Sequence, residues 1–407
     1  MMPVLFKLPV VGWNIPGYGL ALMIGFLLSI IWAARRAARS GADPDVILNC
    51  GFVALIGGVI GSRAMYVVHY WEQFAYRGSA WQVFTAIIDV RKGGLEVYGG
   101  VVAVALFALV YLWRSRLSIR WYLDIIAPSA ALGMGLGRIG CFLNGCCWGG
   151  VCTEVPWSMR FPFGSGPSVQ QWTDRVPGAG LPEELLYFAP PGAFAEPYAA
   201  QPITRDIHRI SENEMNKVQE AARAAAAELV PLNEKLNQAQ NPEERERLRE
   251  QLRLMRRRQV AALTQNIDVR TQMKKHGLSL AELKELARQH PSLPVHPAQL
   301  YSAITLCLLA VLLSAVYWRR TRDGQVICTM FLVEPWTRWL IEVVRPDNPV
   351  DIFGVFTISQ FLAICLTVVA LIGFWWLRRQ PPRSPRARLW VPPEETAAKG
   401  KKATASS

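Results

Sequence analysis

The chain has 407 residues, 51% of them hydrophobic, and a formal net charge of +13 from 44 Lys and Arg against 31 Asp and Glu. The apolar residues gather into runs almost free of charge, which excludes a soluble enzyme, and eight cysteines in this length are too dilute for a secreted disulfide scaffold. The basic residues stand between the runs instead of forming one patch, which argues against nucleic acid as a partner.

Seven runs follow in chain order: Gly17–Ala33, Val46–Ser62, Val97–Trp113, Trp121–Gly137, Gln299–Trp318, Gln325–Glu342 and Ile352–Leu377. Most are about 17–26 residues long, enough to cross a bilayer core as a helix. Arg35, Arg36 and Arg39 follow the first run, Arg114, Arg116 and Arg120 the third, and Arg319, Arg320 and Arg322 the fifth. Segment 378–407 follows the seventh with eight Lys and Arg against two Glu. Basic residues after every odd run predict an outside N-terminus and a cytoplasmic C-terminus. The first ten residues show no separate cleavable leader pattern, so the first run is expected to stay as a helix. The expected organisation is transmembrane helices one to four in 1–146, an extracytoplasmic inserted lobe in 147–295, helices five to seven in 296–377, and a basic, disordered cytoplasmic tail in 378–407. The fold class is thus an all-α polytopic membrane protein.

Within the lobe, Pro156–Pro202 is rich in Pro, Gly and aromatics and reads as irregular structure. Met215, Val218, Ala222, Ala225 and Leu229 then share one helical face, and Pro231 is expected to end that helix. Asn241 caps a second helix with Pro242 at its first position, and Leu248, Leu252, Met255 and Leu263 lie on one face. Ser279 and Glu282 form a capping box for a third. The lobe is either an insertion without chemistry of its own or a docking surface for a protein partner.

Three clusters place polar groups where a membrane protein tolerates them least, all toward the outer half on this topology. At the end of the fourth run stands Gly137-Arg-Ile-Gly-Cys-Phe-Leu-Asn-Gly-Cys-Cys-Trp-Gly149. Arg138 offers a permanently charged five-donor fork suited to a phosphate, or it snorkels to lipid headgroups. On the sixth run, Glu334, Arg338 and Glu342 recur at i, i+4 and i+8 on one helical face, with Arg345 and Asp347 just beyond. They form either a ladder of ion pairs or the polar lining of a cavity. In Gly93-Gly-Leu-Glu-Val-Tyr-Gly-Gly100, Tyr98 is either presented at a cavity mouth or belongs to an aromatic belt. Tyr18, Arg63 with Tyr66, and His296-Pro-Ala-Gln-Leu-Tyr301 accompany these clusters. A membrane transporter of an anionic or lipid substrate would also use intramembrane charges, but the two halves show no inverted repeat.

Taken together, these segments resemble the bacterial phosphatidylglycerol–prolipoprotein diacylglyceryl transferases. The resemblance runs through Pro16-Gly-Tyr-Gly, Gly61-Ser-Arg-Ala-Met-Tyr66, the paired glycines around Tyr98, the Gly137–Gly149 signature, His296-Pro-Ala-Gln-Leu-Tyr301 and Arg338-Trp-Leu-Ile-Glu342. It covers 1–150 and 295–377. It implies seven transmembrane helices around a lipid-binding cavity in the bacterial plasma membrane. The implied reaction moves the diacylglyceryl group of phosphatidylglycerol to the lipobox cysteine of a prolipoprotein and releases glycerol 1-phosphate, the first step of lipoprotein maturation. The implied partners are phosphatidylglycerol, the prolipoprotein signal-peptide segment and the bilayer. No metal or organic cofactor is called for, because a neutralised phosphate already leaves well.

Carried onto this chain, Arg138 and Arg338 grip the phosphate. Tyr18, Arg63, Asn144, Gly149 and Glu342 complete the phosphatidylglycerol site. Tyr98 or Glu334 removes the thiol proton. The chain departs from its resemblance at Tyr98, where many members carry a His, at Cys141 and Cys146, where Asn and Glu are familiar, and at Glu334, which replaces a Tyr. Cys141, Cys146, Cys147 and Cys152 are spaced C-x4-C-C-x4-C on the oxidising side. That spacing fits disulfides or packed thiols better than paired zinc knuckles.

Overall fold

The computed structural model describes residues 4–7, 14–75, 80–90, 94–188, 200–203, 207–208, 210–238, 245, 248, 252, 266–345, 356–384 and 386–387. The chain divides into two compact units, Gly145–Pro297 and the chain on either side of it.

The flanking unit is a helical bundle. A short antiparallel ribbon, β1 (Val4–Lys7) with β2 (Asn14–Pro16), leads into α1 (Gly17–Arg39) and α2 (Pro44–His69). Two short helices, α3 (Glu72–Ala75) and α4 (Ala80–Ile88), precede α5 (Val97–Arg114) and α6 (Ile119–Asn144). The remaining bundle helices resume after the inserted unit, as α11 (Ala298–Arg319), α12 (Gln325–Val343) and α13 (Ile358–Arg378). Each of the seven apolar runs therefore coincides with a helix. Among the described residues five of these are long and apolar enough to cross a membrane: α1, α2, α6, α11 and α13. Helix α5 has 18 residues, and α12 has 19 with Glu334, Arg338 and Glu342 among them. The last helix starts later than its run suggests. Ile352 to Val355 lie outside the described residues, and Thr357 closes a capping box with Gln360 before Ile358.

Helices α1 and α6, α2 and α5, α6 and α11, and α12 and α13 pack as neighbours. Small residues set the closest approaches. A Cβ added to Gly61 of α2 would overlap Ala103 and the Gly99 carbonyl of α5, and one added to Gly99 would overlap Met65 and the Gly61 carbonyl. With lipid as solvent, burial of apolar surface does not drive helices together, so close backbone contact of this kind carries the association. The bundle's outer face is correspondingly apolar, with Phe52, Leu106, Leu308, Val311 and Leu371 all exposed.

The buried core gathers where α1 ends, α2 begins, α6 begins and α11 ends. It contains Ala37, Ile47, Leu112, Ile125, Leu313 and Tyr317. Charged side chains are built into this end. Arg36, 3% exposed, donates to the Ile125 carbonyl (2.9 Å), Ser129 Oγ (3.0 Å) and Ser314 Oγ (2.7 Å) and lies over the Trp32 ring. Pro128 sits inside α6, between the two residues of that helix that accept from Arg36, Ile125 and Ser129. Arg36 is thus a buried bundle residue and not one of the solvated inside charges expected from its position. Arg35, Arg39, Arg114, Arg116 and Arg319 remain exposed. Asp124, fully buried, accepts from the backbone N–H groups of Gly324 (2.7 Å), Val326 (3.0 Å) and Ile327 (3.0 Å). It caps the start of α12 from a neighbouring helix, with Arg320 Nε 3.4 Å from its carboxylate.

The Gly145–Pro297 unit has its own core of Phe163, Leu185, Ile203, Ile207, Met215, Val269, Leu280 and Leu283. Its two ends are laced together by backbone bonds, Gly149 N to His296 O (2.9 Å), Cys152 N to Pro294 O (2.8 Å) and Met159 with Val295 in both directions (3.0 Å). The stretch expected to be irregular holds α7 (Gly166–Thr173) and a hairpin of β3 (Leu186–Phe188) with β4 (Ala200–Pro202). Pro167 lies in the first turn of α7, where a proline is accepted. Helix α8 (Glu212–Gln238) buries Met215, Val218 and Leu229 and runs through Pro231 instead of ending there. Pro231 and Ala227 are exposed, so the carbonyl that the proline leaves without a donor faces solvent. Asn241, Pro242, Met255 and Leu263 lie outside the described residues. Helices α9 (Ile267–His276) and α10 (Leu280–Gln289) follow, the latter opened by the expected Ser279–Glu282 capping box.

Candidate active site

Helix α12 carries the polar stripe. Glu334, Arg338 and Glu342 are all partly or wholly buried, Glu342 at 4% exposure. Arg338 Nη2 lies 4.0 Å from Glu342 Oε2 and donates to Ser359 Oγ of α13 at 3.4 Å. Pro335 interrupts the helix between Glu334 and Arg338, and Thr337 Oγ1 donates to the Glu334 carbonyl at 2.7 Å.

Two further helices bring their predicted residues to this stripe. Arg138, half-buried on α6, interacts electrostatically with both Glu334 and Arg338. Tyr98, exposed in the first turn of α5, lies within electrostatic range of Arg338, as do Glu342 and Arg345. Two guanidiniums, two carboxylates and a phenol from α5, α6 and α12 therefore share one neighbourhood.

The signature's glycines play different parts. Gly140 faces Tyr18 of α1, whose ring and carbonyl would each lie 3.2 Å from an added Cβ. This anchors Tyr18, half-buried, beside the helix that carries Arg138. At Gly137 an added Cβ would meet only Leu22, at 3.9 Å, so space is left beside Arg138. Asn144 is the exposed last residue of α6, and Gly145 follows at φ 72°, the left-handed conformation that commonly ends a helix. Gly149 is buried within the inserted unit and donates to His296. Cys141, Cys146 and Cys147 are half-buried, and Cys152 is a free thiol.

Arg63, expected at the phosphatidylglycerol site, is bonded to backbone carbonyls. Its guanidinium donates to the carbonyls of Ile87 (2.7 Å), Ala86 (2.8 Å), Gly94 (2.9 Å) and Asp89 (3.1 Å) and stands over the Tyr66 and Phe74 rings. Four of its five donors thus tie the end of α4 and the loop before Tyr98 to α2, which makes it a positioning residue. Asp124 and His69 were not singled out from the sequence. A carboxylate inside the fourth apolar run is a signal that could have found Asp124. The open recess of 240 Å³ lined by Leu312, Val316, Arg319, Arg320 and Gln325 is at the opposite end of α12 from Arg338 and is no part of this site.

Comparison with known proteins places the chain. The family model for prolipoprotein diacylglyceryl transferase matches residues 3–203 and 251–376. The phosphatidylglycerol–prolipoprotein diacylglyceryl transferase of Rhodopirellula baltica is 38% identical over 161 residues, 40% of this chain and 32% of that protein. That of Clostridium tetani is 32% identical over 161 residues, covering 40% of this chain and 61% of the relative. That of Pseudoalteromonas translucida is 34% identical over 152 residues, 37% and 54% of the two chains. The aligned parts span between about a third and three fifths of these relatives' lengths. With the family model covering most of its length and five helices suited to crossing a membrane, the chain is a multi-pass membrane protein that belongs to the prolipoprotein diacylglyceryl transferase family.

Proposed function

We propose that this chain transfers the diacylglyceryl group of phosphatidylglycerol to the lipobox cysteine of a prolipoprotein, forming a thioether and releasing glycerol 1-phosphate. The observation that carries this reading is the convergence of Arg138 from α6 and Arg338 from α12 around Glu334. The reaction breaks a carbon–oxygen bond to phosphate. The leaving group's charge must be met by donors already in place, and two guanidinium forks in a water-poor site do this without reorganising. Glu334 and Glu342 hold the forks apart and oriented while the lipid is absent, and Ser359 fixes the angle of Arg338. Tyr18 and Tyr98 flank the headgroup, and Arg63 fixes the loop that presents Tyr98.

In this reading all seven helices span the bacterial plasma membrane, with the N-terminus and the lobe outside and the tail in the cytoplasm. The exposed arginines after α1, α5 and α11 support that orientation. The residues of 1–146 and 296–377 form the catalytic bundle, and 147–295 is a folded insertion. The test incubates the purified full chain with phosphatidylglycerol and a lipobox peptide. The expected result is glycerol phosphate release together with a diacylglyceryl mass gain on the peptide cysteine. Release without peptide modification, or neither, would overturn the proposal.

A further inference from the structure

Transfer to a thiol needs a proton acceptor, and the residues around Arg138 and Arg338 supply a poor one. Glu334 is engaged electrostatically with two guanidiniums, and Tyr98 offers a phenolic hydroxyl, which is a weaker base than an imidazole. Of the chain's five histidines, His208, His276, His290 and His296 belong to the inserted unit. His69 alone belongs to the bundle.

His69 is the last residue of α2, and its Nδ1 lies 2.7 Å from Oε1 of Glu96. Its ring stacks on Tyr70, with centroids 4.6 Å apart and planes 19° from parallel. Glu96 is in turn fixed. It is the N-cap residue of α5, and its backbone N–H donates to the Ser62 carbonyl at 3.0 Å. Its side chain is 22% exposed while that of His69 is 64% exposed, so the carboxylate is the rigid member and the imidazole the presented one. Tyr98, which reaches the neighbourhood of Arg338, is two residues further along the same helix. The ring orientation has a chemical consequence. An imidazole that donates Nδ1–H to Glu96 and carries no second proton keeps its lone pair on Nε2. A carboxylate that holds a histidine in this tautomer also stabilises the imidazolium once a proton arrives.

We propose that the His69–Glu96 pair accepts the proton of the substrate thiol, a role that rests on the diacylglyceryl transfer reading above. His69 Nε2 takes the S–H proton. The sulfur lone pair forms the C–S bond to the glyceryl carbon as the C–O bond to phosphate breaks. The electron pair leaves on the glycerol phosphate oxygen, held by Arg138 and Arg338, and the imidazolium returns its proton to that phosphate or to water. An exposed His–Glu pair with a purely structural role contributes little, so the two roles separate cleanly.

The experiment measures peptide modification and glycerol phosphate release by the full-length chain in detergent. His69→Ala should lower kcat about 10²–10⁴-fold with the KM for phosphatidylglycerol unchanged. Added imidazole should restore part of the loss, because the vacated position is open to solvent. His69→Gln retains a donor toward Glu96 but no basic nitrogen, and should fall as far as the alanine variant. Glu96→Gln should lose roughly 10–100-fold without imidazole rescue. Wild-type kcat in either His69 variant, or a folded His69→Ala chain that imidazole does not revive, would overturn the proposal. A wild-type chain inactive on both substrates would instead overturn the transferase reading and this inference with it.

Discussion

Replacing Asp124 tests how α12 is held in register beneath the candidate site. The carboxylate is fully buried and accepts three backbone N–H bonds from Gly324, Val326 and Ile327, at 2.7–3.0 Å. Each buried donor left without an acceptor costs about 1–3 kcal/mol, and Arg320 would keep only Asp323 of its two carboxylate partners. Removing one partner of a buried charge network costs about 3–5 kcal/mol, and we expect Asp124→Ala to fall there because part of the helix end can rehydrate. Asp124→Asn keeps one carbonyl oxygen, enough for Val326 and Ile327, but turns an amide N–H toward that of Gly324. Its loss should be one bond's worth, about 1–3 kcal/mol. At roughly 2–4 °C per kcal/mol, thermal unfolding in detergent should separate wild type, Asn and Ala in that order. Transferase activity should fall in the same order, because α12 carries Glu334, Arg338 and Glu342. Equal melting temperatures for wild type and Ala, or an Asn variant less stable than Ala, would refute the capping argument.

Four further outcomes are expected. Arg138→Lys keeps the charge but not the planar fork and should lose roughly a hundredfold in rate, about 2–3 kcal/mol, measured as glycerol phosphate release at saturating peptide. Replacing Arg205–His290 by a Gly/Ser linker should leave a poorly folded chain, read by protease sensitivity. The cut removes Ile207, Met215, Val269, Leu280 and Leu283 and strips the cover from Phe163, Leu185 and Ile203. Hydrogen bonds from Ser279 hold the Glu282 carboxyl below its ordinary value of 4.5. Its contribution is therefore full above that value and fades as pH falls through the folded one. Glu282→Gln should destabilise the lobe at pH 7 and be indistinguishable from wild type in strong acid, as followed by hydrogen exchange. Reporter fusions near residues 230 and 395 should give opposite compartment signals, and equal signals would contradict the proposed orientation.

Helix positions were legible in the sequence because runs such as Val46–Ser62 and Gln299–Trp318 exceed what a soluble core needs, and the helices extend beyond them at both ends. The α12 stripe was legible for a related reason. Charges at i, i+4 and i+8 in an apolar segment have one face to share, and the structure puts Arg338 against Glu342. What the sequence hid were pairings between distant segments. Arg36 at the end of an apolar run looks like any inside arginine until α6 brings it the Ile125 carbonyl. Arg63 looks like a headgroup ligand until α4 and Gly94 fold over it. His69 and Glu96 are 27 positions apart and meet through the close packing of Gly61 and Gly99. Pro231 misled for the opposite reason: a local rule was applied at an exposed site where breaking it costs little.

The bonds of Arg36 also impose a schedule on the protein's synthesis. Its partners Ile125 and Ser129 emerge from the ribosome some 90 residues later, and Ser314 comes 278 residues later. At about 5–20 residues per second, the last of them arrives on the order of 15–55 s after Arg36 itself. Throughout that interval α1 holds a guanidinium with no finished home, so its charged end waits at the headgroup level. Helix α1 is therefore made well before it can settle, and nascent chains stopped before residue 314 should hold α1 more loosely than the completed protein does.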